Sequence, residues 1–335
     1  MSTASTDVRT RPQNASSLLR FDARHYLDTP GLSRIKDDIE IEVADRAYLP
    51  DLTDLKRDWV ASVAAPAFRV LAAGRASRPH AFASIGTGSG IDALAAIEIL
   101  GAEVVGITDL FDEVVAAAAR NVRRNIRAGT DVALHAAAGD LLTPLAPSRV
   151  KFDVIYENLP NLPVDDTRAI EKDKTSAAFL APRREAIPAF VADWLLTMHY
   201  LALVQSHDAL TRDGVVLSTI GGRVPLSVLT QMSRDAGFVP RILTYGWKVQ
   251  ADADDVISTY ANWELQGLGP FRFYTVDALT AAFADLKPGE AGADASAIEA
   301  SLAGEQLGAV AAWEAHRSGV RIGHTYVVLQ SSLAE

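Results

Sequence analysis

The segment His80-Ala81-Phe82-Ala83-Ser84-Ile85-Gly86-Thr87-Gly88-Ser89-Gly90 constrains this chain more than any other. Its first six residues are short and apolar and read as a strand. The next five place a glycine at every second position, and Ile91 to Leu100 reads as a helix. Glycine at 86, 88 and 90 lets the backbone turn sharply and approach a ligand with no Cβ in the way. The helix that follows offers unpaired N–H groups and the positive end of its dipole. The bland alternative is a βα turn with no ligand.

The alternation continues downstream. Glu103–Ile107 reads as a second strand, Glu113–Ile126 as a second helix, Val132–Ala136 as a third strand and Phe152–Tyr156 as a fourth. Strands and helices in alternation predict right-handed βαβ units and a parallel sheet. After the turn-rich NLPNLPVDDT come a helical stretch from Pro188 to Leu210 and a fifth strand at Gly214–Thr219. A helix at Leu226–Ala236, a strand after Gly237-Phe238, a Gly/Ala-rich loop at 288–295 and a final strand at His324–Gln330 complete the pattern. Upstream, residues 1–18 are rich in Ser, Thr, Asn and Arg and read as a flexible tail. Residues 19–77 read as a helical cap: Leu55, Trp59, Val63, Phe68 and Leu71 recur at roughly helical spacing, with Asp51 as a candidate N-cap. Residues 78–335 then form the α/β domain.

Composition excludes several classes of function. Lys and Arg number 32 against 42 Asp and Glu, so the net charge is -10. With no basic run, the chain is a poor partner for nucleic acid or an anionic membrane. Cysteine is absent, which removes disulfides, thiolate metal sites and a Cys nucleophile together. His199, His207 and His324 lack ligand spacing, so no metal is expected. No stretch approaches about 18 uninterrupted apolar residues, and the polar N-terminus lacks the apolar core of a secretory signal. A cytoplasmic location is therefore expected.

Two cofactors compete for a glycine loop of this kind. A nicotinamide dinucleotide wants G-x-G-x-x-G, with the third glycine against the helix. Here Ile91 takes that place and the spacing is G-x-G-x-G. That pattern resembles class I S-adenosylmethionine-dependent methyltransferases. The resemblance implies a Rossmann-like methyltransferase sheet, with an N-terminal helical cap and C-terminal additions. It implies S-adenosyl-L-methionine on Gly86, Thr87, Gly88 and Gly90, with the ribose hydroxyls on an acid ending the second strand. Asp109 is the candidate, nineteen residues after Gly90, with Leu110 beside it. Thr108 leaves the register open by one, and Asp109 also reads as a helix N-cap. Asp140 and Leu141 follow the third strand, where such enzymes bind the adenine amine; a turn Asp capping its own backbone is the alternative.

The fourth strand ends in Tyr156-Glu157-Asn158-Leu159-Pro160-Asn161, and active sites of open α/β sheets lie at such carboxyl ends. In amino-methyltransferases this loop reads Asn-Pro-Pro-Tyr. Leu159 and Asn161 depart from it, which counts against a release-factor-type glutamine N-methyltransferase. Farther on, Gly221-Gly222-Arg223, Trp247 to Asp252, Asp254 to Ile257, Phe271 to Tyr274, Ala312-Trp313 and Arg321 to His324 follow in an order that looks like the methyltransferase domain of methionine S-methyltransferase. The likeness runs from about Tyr48 to Gln330 and lacks the aminotransferase-like half of the plant enzyme. It points to the short bacterial form associated with dimethylsulfoniopropionate synthesis.

That resemblance implies L-methionine as methyl acceptor, Tyr156 and Asn158 as catalytic residues, and Tyr156, Pro160, Asn161, Arg223, Tyr245 and Trp247 around the substrate. A thioether has a free lone pair and needs no general base, so the task is alignment. Aromatic faces would favour the sulfonium donor and product; Tyr156, Tyr245, Trp247, Tyr260, Trp263 and Phe273 are candidates, the last two reading as core. Arg223 suits the substrate carboxylate, and Asp252, Asp254 or Glu264 its ammonium. Alternatives are an N- or O-methyltransferase of another small amino-acid-like metabolite and a non-catalytic binder of the donor. A homodimer is an expectation from the fold class.

Overall fold

The computed structural model describes residues 18–164, 177–180, 183, 185–284 and 286–334. The expected tail lies outside them up to residue 17, as do residues 165–167 of the turn-rich segment.

Among the described residues twelve strands follow in chain order: β1 (Leu19–Asp22), β2 (Asp38–Ile41), β3 (Ala81–Ile85), β4 (Val104–Asp109), β5 (Ala133–Ala138), β6 (Phe152–Glu157), β7 (Leu162–Val164), β8 (Ala177–Phe179), β9 (Leu210–Gly222), β10 (Phe238–Val249), β11 (Tyr274–Thr275) and β12 (Ile322–Leu333). The main sheet runs β10-β12-β9-β6-β3-β4-β5, with β11 pairing β12 at one end. From β9 to β5 neighbours are parallel. β12 is antiparallel to both β9 and β10. This is the α/β, Rossmann-like sheet expected from the sequence. β3 sits inside it between β6 and β4, and AFASI is buried on both faces, as a parallel strand covered by helices must be. The chain steps from β3 to β4 and β5 on one side, then returns to β6 on the other. The crevice at that reversal, outside the carboxyl ends of β3 and β6, is where such sheets bind ligands.

The helix Ile91–Ile99 joins β3 to β4, and Asp112–Asn125 joins β4 to β5. One face of the sheet packs Phe82, Val105, Ile107 and Val154 against Phe68, Leu94 and Ile97. The other packs Ile85, Phe152, Ile155 and Val216 against Leu145, Leu201 and Leu229.

The structure departs from the sequence reading in four places. Apart from one short helix at Ala23–Tyr26, the 19–77 region is helical only from Val60, where a π-helical turn (Val60–Ala64) runs into an α-helix (Ala65–Ala73). Before it, β1 and β2 form an antiparallel pair. The alternation in DIEIEV carries that signal, since Ile39 and Ile41 are buried and Asp38 is exposed. Side-chain amides dock this pair: Asn125 both donates to the Glu40 carbonyl (2.8 Å) and accepts from its N–H (3.0 Å), and Asn121 does the same at Glu42.

Asp58 replaces Asp51 as the helix cap. Its Oδ1 accepts from Val60 N and Ala61 N, both at 2.8 Å, whereas Asp51 accepts from Thr53 and Asp54 in an earlier turn. The long helix expected from Pro188 is split into Ala189–Asp193 and Thr197–Ser206 by Leu195 at φ 57. The break sends Leu195 and Leu196 into different apolar clusters. Finally, the Gly/Ala-rich stretch at 288–295 is helical, as Pro288–Ala293 and the start of Ala295–Ser301. Gly292 fits there because a Cβ would lie 2.6 Å from the Leu243 carbonyl oxygen on β10. Close packing on the sheet overrides the low helix propensity of glycine.

Candidate active site

The glycine loop takes the conformation its composition allows. Gly86, Gly88 and Gly90 have φ of 67, 56 and 81. At Gly90 a Cβ would come within 3.2 Å of Ala118 O, so the loop lies against the Asp112–Asn125 helix. Thr87 N donates to Thr108 O at 3.0 Å. Asp109 ends β4, and its Oδ2 accepts from Gly88 N at 3.1 Å. Burial pushes its carboxyl up to about 6, against the pull of backbone N–H groups from Gly88, Phe111 and Leu110.

A cavity of ≈ 180 Å³ opens along this edge. It is lined by Gly86, Gly88, Asp109, Leu110, Leu141 and Asn158, together with Asp140 and Pro160. Thr87 and Gly90 do not line it. Asp140 is already committed: Arg183 donates to both its oxygens (2.7 and 3.0 Å) and Gln205 Nε2 donates to Oδ2 (2.9 Å). An adenine amine would have to share those oxygens.

A second cavity of ≈ 140 Å³ adjoins the first, with Arg223, Lys248, Gln250, Asp252, Tyr260 and His324 in its wall. A third, of ≈ 80 Å³, lies behind the glycine loop and is lined by Tyr26, Asp58, Thr87, Asp92 and Tyr156. Tyr48 and Asn158 line all three. Asn158 follows the last residue of β6, so the strand end where the sequence placed the chemistry is the junction between cavities.

The second cavity is cationic because of strand register. β9, β12 and β10 are neighbours, with Gly222 opposite Thr325 and Lys248 opposite His324. Arg223, His324 and Lys248 therefore stand side by side. Arg223 is buried; its Nε and Nη2 donate to Gln250 Oε1 at 3.2 and 2.6 Å, and its guanidinium lies 5.1 Å from the Tyr260 ring centroid. Among the described residues no carboxylate is bonded to it, and burial pulls its pKa down. Lys248 Nζ donates to Lys56 O (2.9 Å), Asp58 O (3.1 Å) and Ser62 Oγ (2.8 Å); burial lowers it to about 8. His324 Nδ1 donates to Thr325 O at 2.7 Å. Burial, then the Arg223 charge, then Lys248, hold that imidazole well below its usual pKa. It is neutral, and Nε2 is left as an acceptor.

The third cavity is acidic. Asp92 sits in the first turn of the Ile91–Ile99 helix and accepts from Thr87 Oγ1 (2.9 Å) and Ser84 Oγ. Burial pushes it up to about 6. Asp58 Oδ1 accepts from Tyr26 OH at 2.6 Å.

Several sequence expectations need correction. Tyr245 and Trp247 do not line the second cavity. They lie on β10 out of phase with Lys248, and Tyr245 packs against Phe283 with ring centroids 5.2 Å apart. Side chains alternate along a strand, so Lys248 and Gln250 take the cavity face. Tyr156 is core: its ring meets Phe68 edge-on at 5.2 Å, its hydroxyl lies 3.3 Å from Thr219 Oγ1, and burial drives its pKa upward. A phenol so placed lines only the small third cavity. Asn161 and Pro160 do line the second. Of the three acids offered for an ammonium, only Asp252 does. Asp254 contacts His316, and Glu264 accepts from Phe271 N and Val310 N. Tyr260 is in the wall, and Phe273 is core as read.

Trp59, Asp58, Asp92, Lys248 and the Glu157–His199 pair were missed as site residues. Asp92 carried a signal, a carboxylate inside the otherwise apolar IDALAA turn. The others depend on contacts from distant segments. Among the described residues no cluster of three or more His, Asp or Glu could hold a metal ion. No helix is long and apolar enough to cross a membrane.

No protein-family model matches the chain, and no curated protein does. Solved structures show similarity. They include a ribosomal protein L11 methylase from Lactobacillus delbrueckii subsp. bulgaricus (22% identity, 58% of this chain, 80% of that chain, TM-score 0.36). A methyltransferase from Pyrococcus furiosus matches at 16% identity over 62% of this chain and 82% of that chain, with TM-score 0.37. A precorrin-6y C5,15-methyltransferase from Geobacter metallireducens GS-15 matches at 9% identity over 88% and 98%, with TM-score 0.39. Likeness this distant assigns neither substrate nor cofactor; the fold stands on the strand order and register above.

Two substitutions test the two larger cavities separately. Asp109→Ala should weaken binding of an adenosine-bearing ligand about tenfold or more, as a lost charge-assisted hydrogen bond does; calorimetry with S-adenosylhomocysteine reads it. Gly221→Ala should disturb only the second cavity, because a Cβ there would collide with Arg223 Nη1. Its signature is binding of a carboxylate-bearing ligand weakened about tenfold with binding of S-adenosylhomocysteine unchanged. Parallel losses of both would show a general fault instead.

Proposed function

We propose that this chain transfers the methyl group of S-adenosyl-L-methionine to the thioether sulfur of L-methionine, giving S-methyl-L-methionine and S-adenosylhomocysteine, in the service of dimethylsulfoniopropionate synthesis. The observation that carries this reading is Arg223: a buried cation with no carboxylate bonded to it among the described residues, in a small cavity that meets the glycine-loop cavity at Asn158. A guanidinium in that state suits a ligand carboxylate, which it can bind bidentately. Asp252, in the same wall, suits the substrate ammonium.

The donor supplies a methyl group made electrophilic by its sulfonium. Asp109 suits the donor's ribose hydroxyls, and the glycine loop lets its backbone come close. Asp92 and Asp58 line the small acidic cavity behind the loop, which suits the ammonium of its methionine end. On the acceptor side a sulfur lone pair forms the new bond to carbon. The old carbon–sulfur bond breaks with its electrons going to the donor sulfur, and no proton moves. The chain's task is alignment of the two ligands across Asn158 and Tyr48, with water kept out. Small molecules are then its partners, with no nucleic acid or membrane, in the cytoplasm; a homodimer remains part of the proposal, for light scattering to check.

His324 favours a second reading. A neutral imidazole with Nε2 free as acceptor is also what an amine or hydroxyl acceptor would need to lose its proton. Mass spectrometry of the protein with S-adenosyl-L-methionine and L-methionine separates the two. S-methylmethionine, formed at a rate that does not fall as pH drops from 8 to 7, above the range in which Asp109 and Asp92 titrate, supports the thioether. No product, with donor still bound by calorimetry, discards methionine and turns the search to amines and hydroxyls.

A further inference from the structure

The segment from Asp45 to Ser62 contributes to every cavity. Tyr48 lines all three, Arg57 and Trp59 line the second, and Pro50, Asp58 and Trp59 line the third. Besides the Arg46–Glu113 ion pair (3.6 Å) at its start, two fastenings hold its later part. On the glycine-loop side, the buried Asp58 carboxylate accepts from Tyr26 OH, Asp51 N, Val60 N and Ala61 N, which folds the segment around one anchor. On the sheet side, the fastening is Lys248, some 190 residues away in the chain.

The chemistry of that second fastening is specific. An ammonium carries three donors, and Lys248 Nζ meets three acceptors: Lys56 O, Asp58 O and Ser62 Oγ. All three are neutral oxygens of the segment. The ammonium also lies 4.8 Å from the Trp59 ring centroid, a cation–π distance. Trp59 in turn stacks on His324 at 6.2 Å and meets Tyr326 edge-on at 6.4 Å. Lys248 itself is in the wall of the second cavity, so whatever fills that cavity touches the fastening.

We propose that Lys248 is a positioning residue: its ammonium latches Lys56–Ser62 onto β10, sets Trp59 as the aromatic wall of the acceptor cavity, and so couples closure of the 45–62 segment to acceptor binding. The kinetic part of the test rests on the methyl-transfer reading; the proteolytic part does not. Lys56 and Arg57 are tryptic sites inside the latched stretch. With S-adenosylhomocysteine present, the parent protein should be cut slowly there. Lys248→Met should speed cleavage after Lys56 and Arg57 at least about tenfold, by loss of charge-assisted hydrogen bonds, with cleavage elsewhere unchanged. Its acceptor KM should rise by a similar factor while kcat changes little. Ser62→Ala, which removes one acceptor and keeps the charge, should shift both in the same direction by about threefold, at the low end for a single hydrogen bond; it carries the test if Lys248→Met does not fold. Parent-like cleavage in the folded variants overturns the latch. Faster cleavage with an unchanged KM overturns the coupling. If no thioether is turned over by the parent, the reading of function fails and cleavage alone decides the latch.

Discussion

Arg223→Ala is expected to raise the KM for a carboxylate-bearing acceptor by about a hundredfold or more, the range for truncating one side of a buried, hydrogen-bonded charge pair. The donor should bind as before, because Arg223 lines only the second of the three cavities. Arg223→Lys should recover little. A lysine has a point charge in place of a planar fork, and it cannot reproduce the two bonds to Gln250 Oε1 that aim the guanidinium. Steady-state kinetics with the acceptor varied, alongside calorimetry for S-adenosylhomocysteine, separates these effects. A KM within threefold of the parent would move the carboxylate to another group in that wall.

The largest effect on stability is expected one residue before Asn158. Glu157 and His199 are both fully buried, and His199 Nδ1 lies 2.8 and 2.9 Å from the two carboxylate oxygens. Glu157 Oε2 also accepts from Leu159 N, so the pair fixes the loop that carries Asn158. His199→Phe strands a carboxylate away from water, which costs about 3–5 kcal/mol, visible as a lower urea midpoint. Adding Glu157→Gln should recover much of that loss, because the stranded charge is removed. If the single variant unfolds at the parent's midpoint, the pair contributes nothing and the loop is held by other contacts. The imidazole's own Nε2 is buried with no partner among the described residues, so the pair is satisfied on one side only.

Much of this site was legible from local pattern. The strand, glycine loop and helix of residues 80–100, Asp109 at the end of β4 and Asn158 after β6 depend on neighbours in sequence, and each stands where the pattern put it. β10 shows where such reading stops. A strand packed on both faces loses the polar–apolar alternation that reveals phase, and a one-residue error in phase exchanges every side chain. The sequence therefore points to Tyr245 and Trp247 where Lys248 and Gln250 supply the wall. Trp59 and Asp58 failed for another reason. The spacing of Trp59 with Phe68 and Leu71 points only to a shared apolar face; what makes Trp59 and Asp58 part of the site is contact with β10 and β12, and nothing within their own segment encodes that. The sequence offers Asp51 as the cap, and only the turn geometry moves that role to Asp58.

The place of β12 bears on how the molecule is made. It is the last of the twelve strands in chain order, yet it lies inside the sheet, between β9 and β10. A growing chain can lay down the parallel strands around β3, with the glycine loop and Asp109, while Ile322–Leu333 is still to be synthesised. Until that segment arrives, β9 exposes an unpaired edge ready to template other chains, and the second cavity lacks His324. The two halves of the site are therefore finished at different times during synthesis. On the function proposed above, a nascent or truncated chain ending before residue 322 would have its glycine loop and Asp109 in sequence but no complete second cavity.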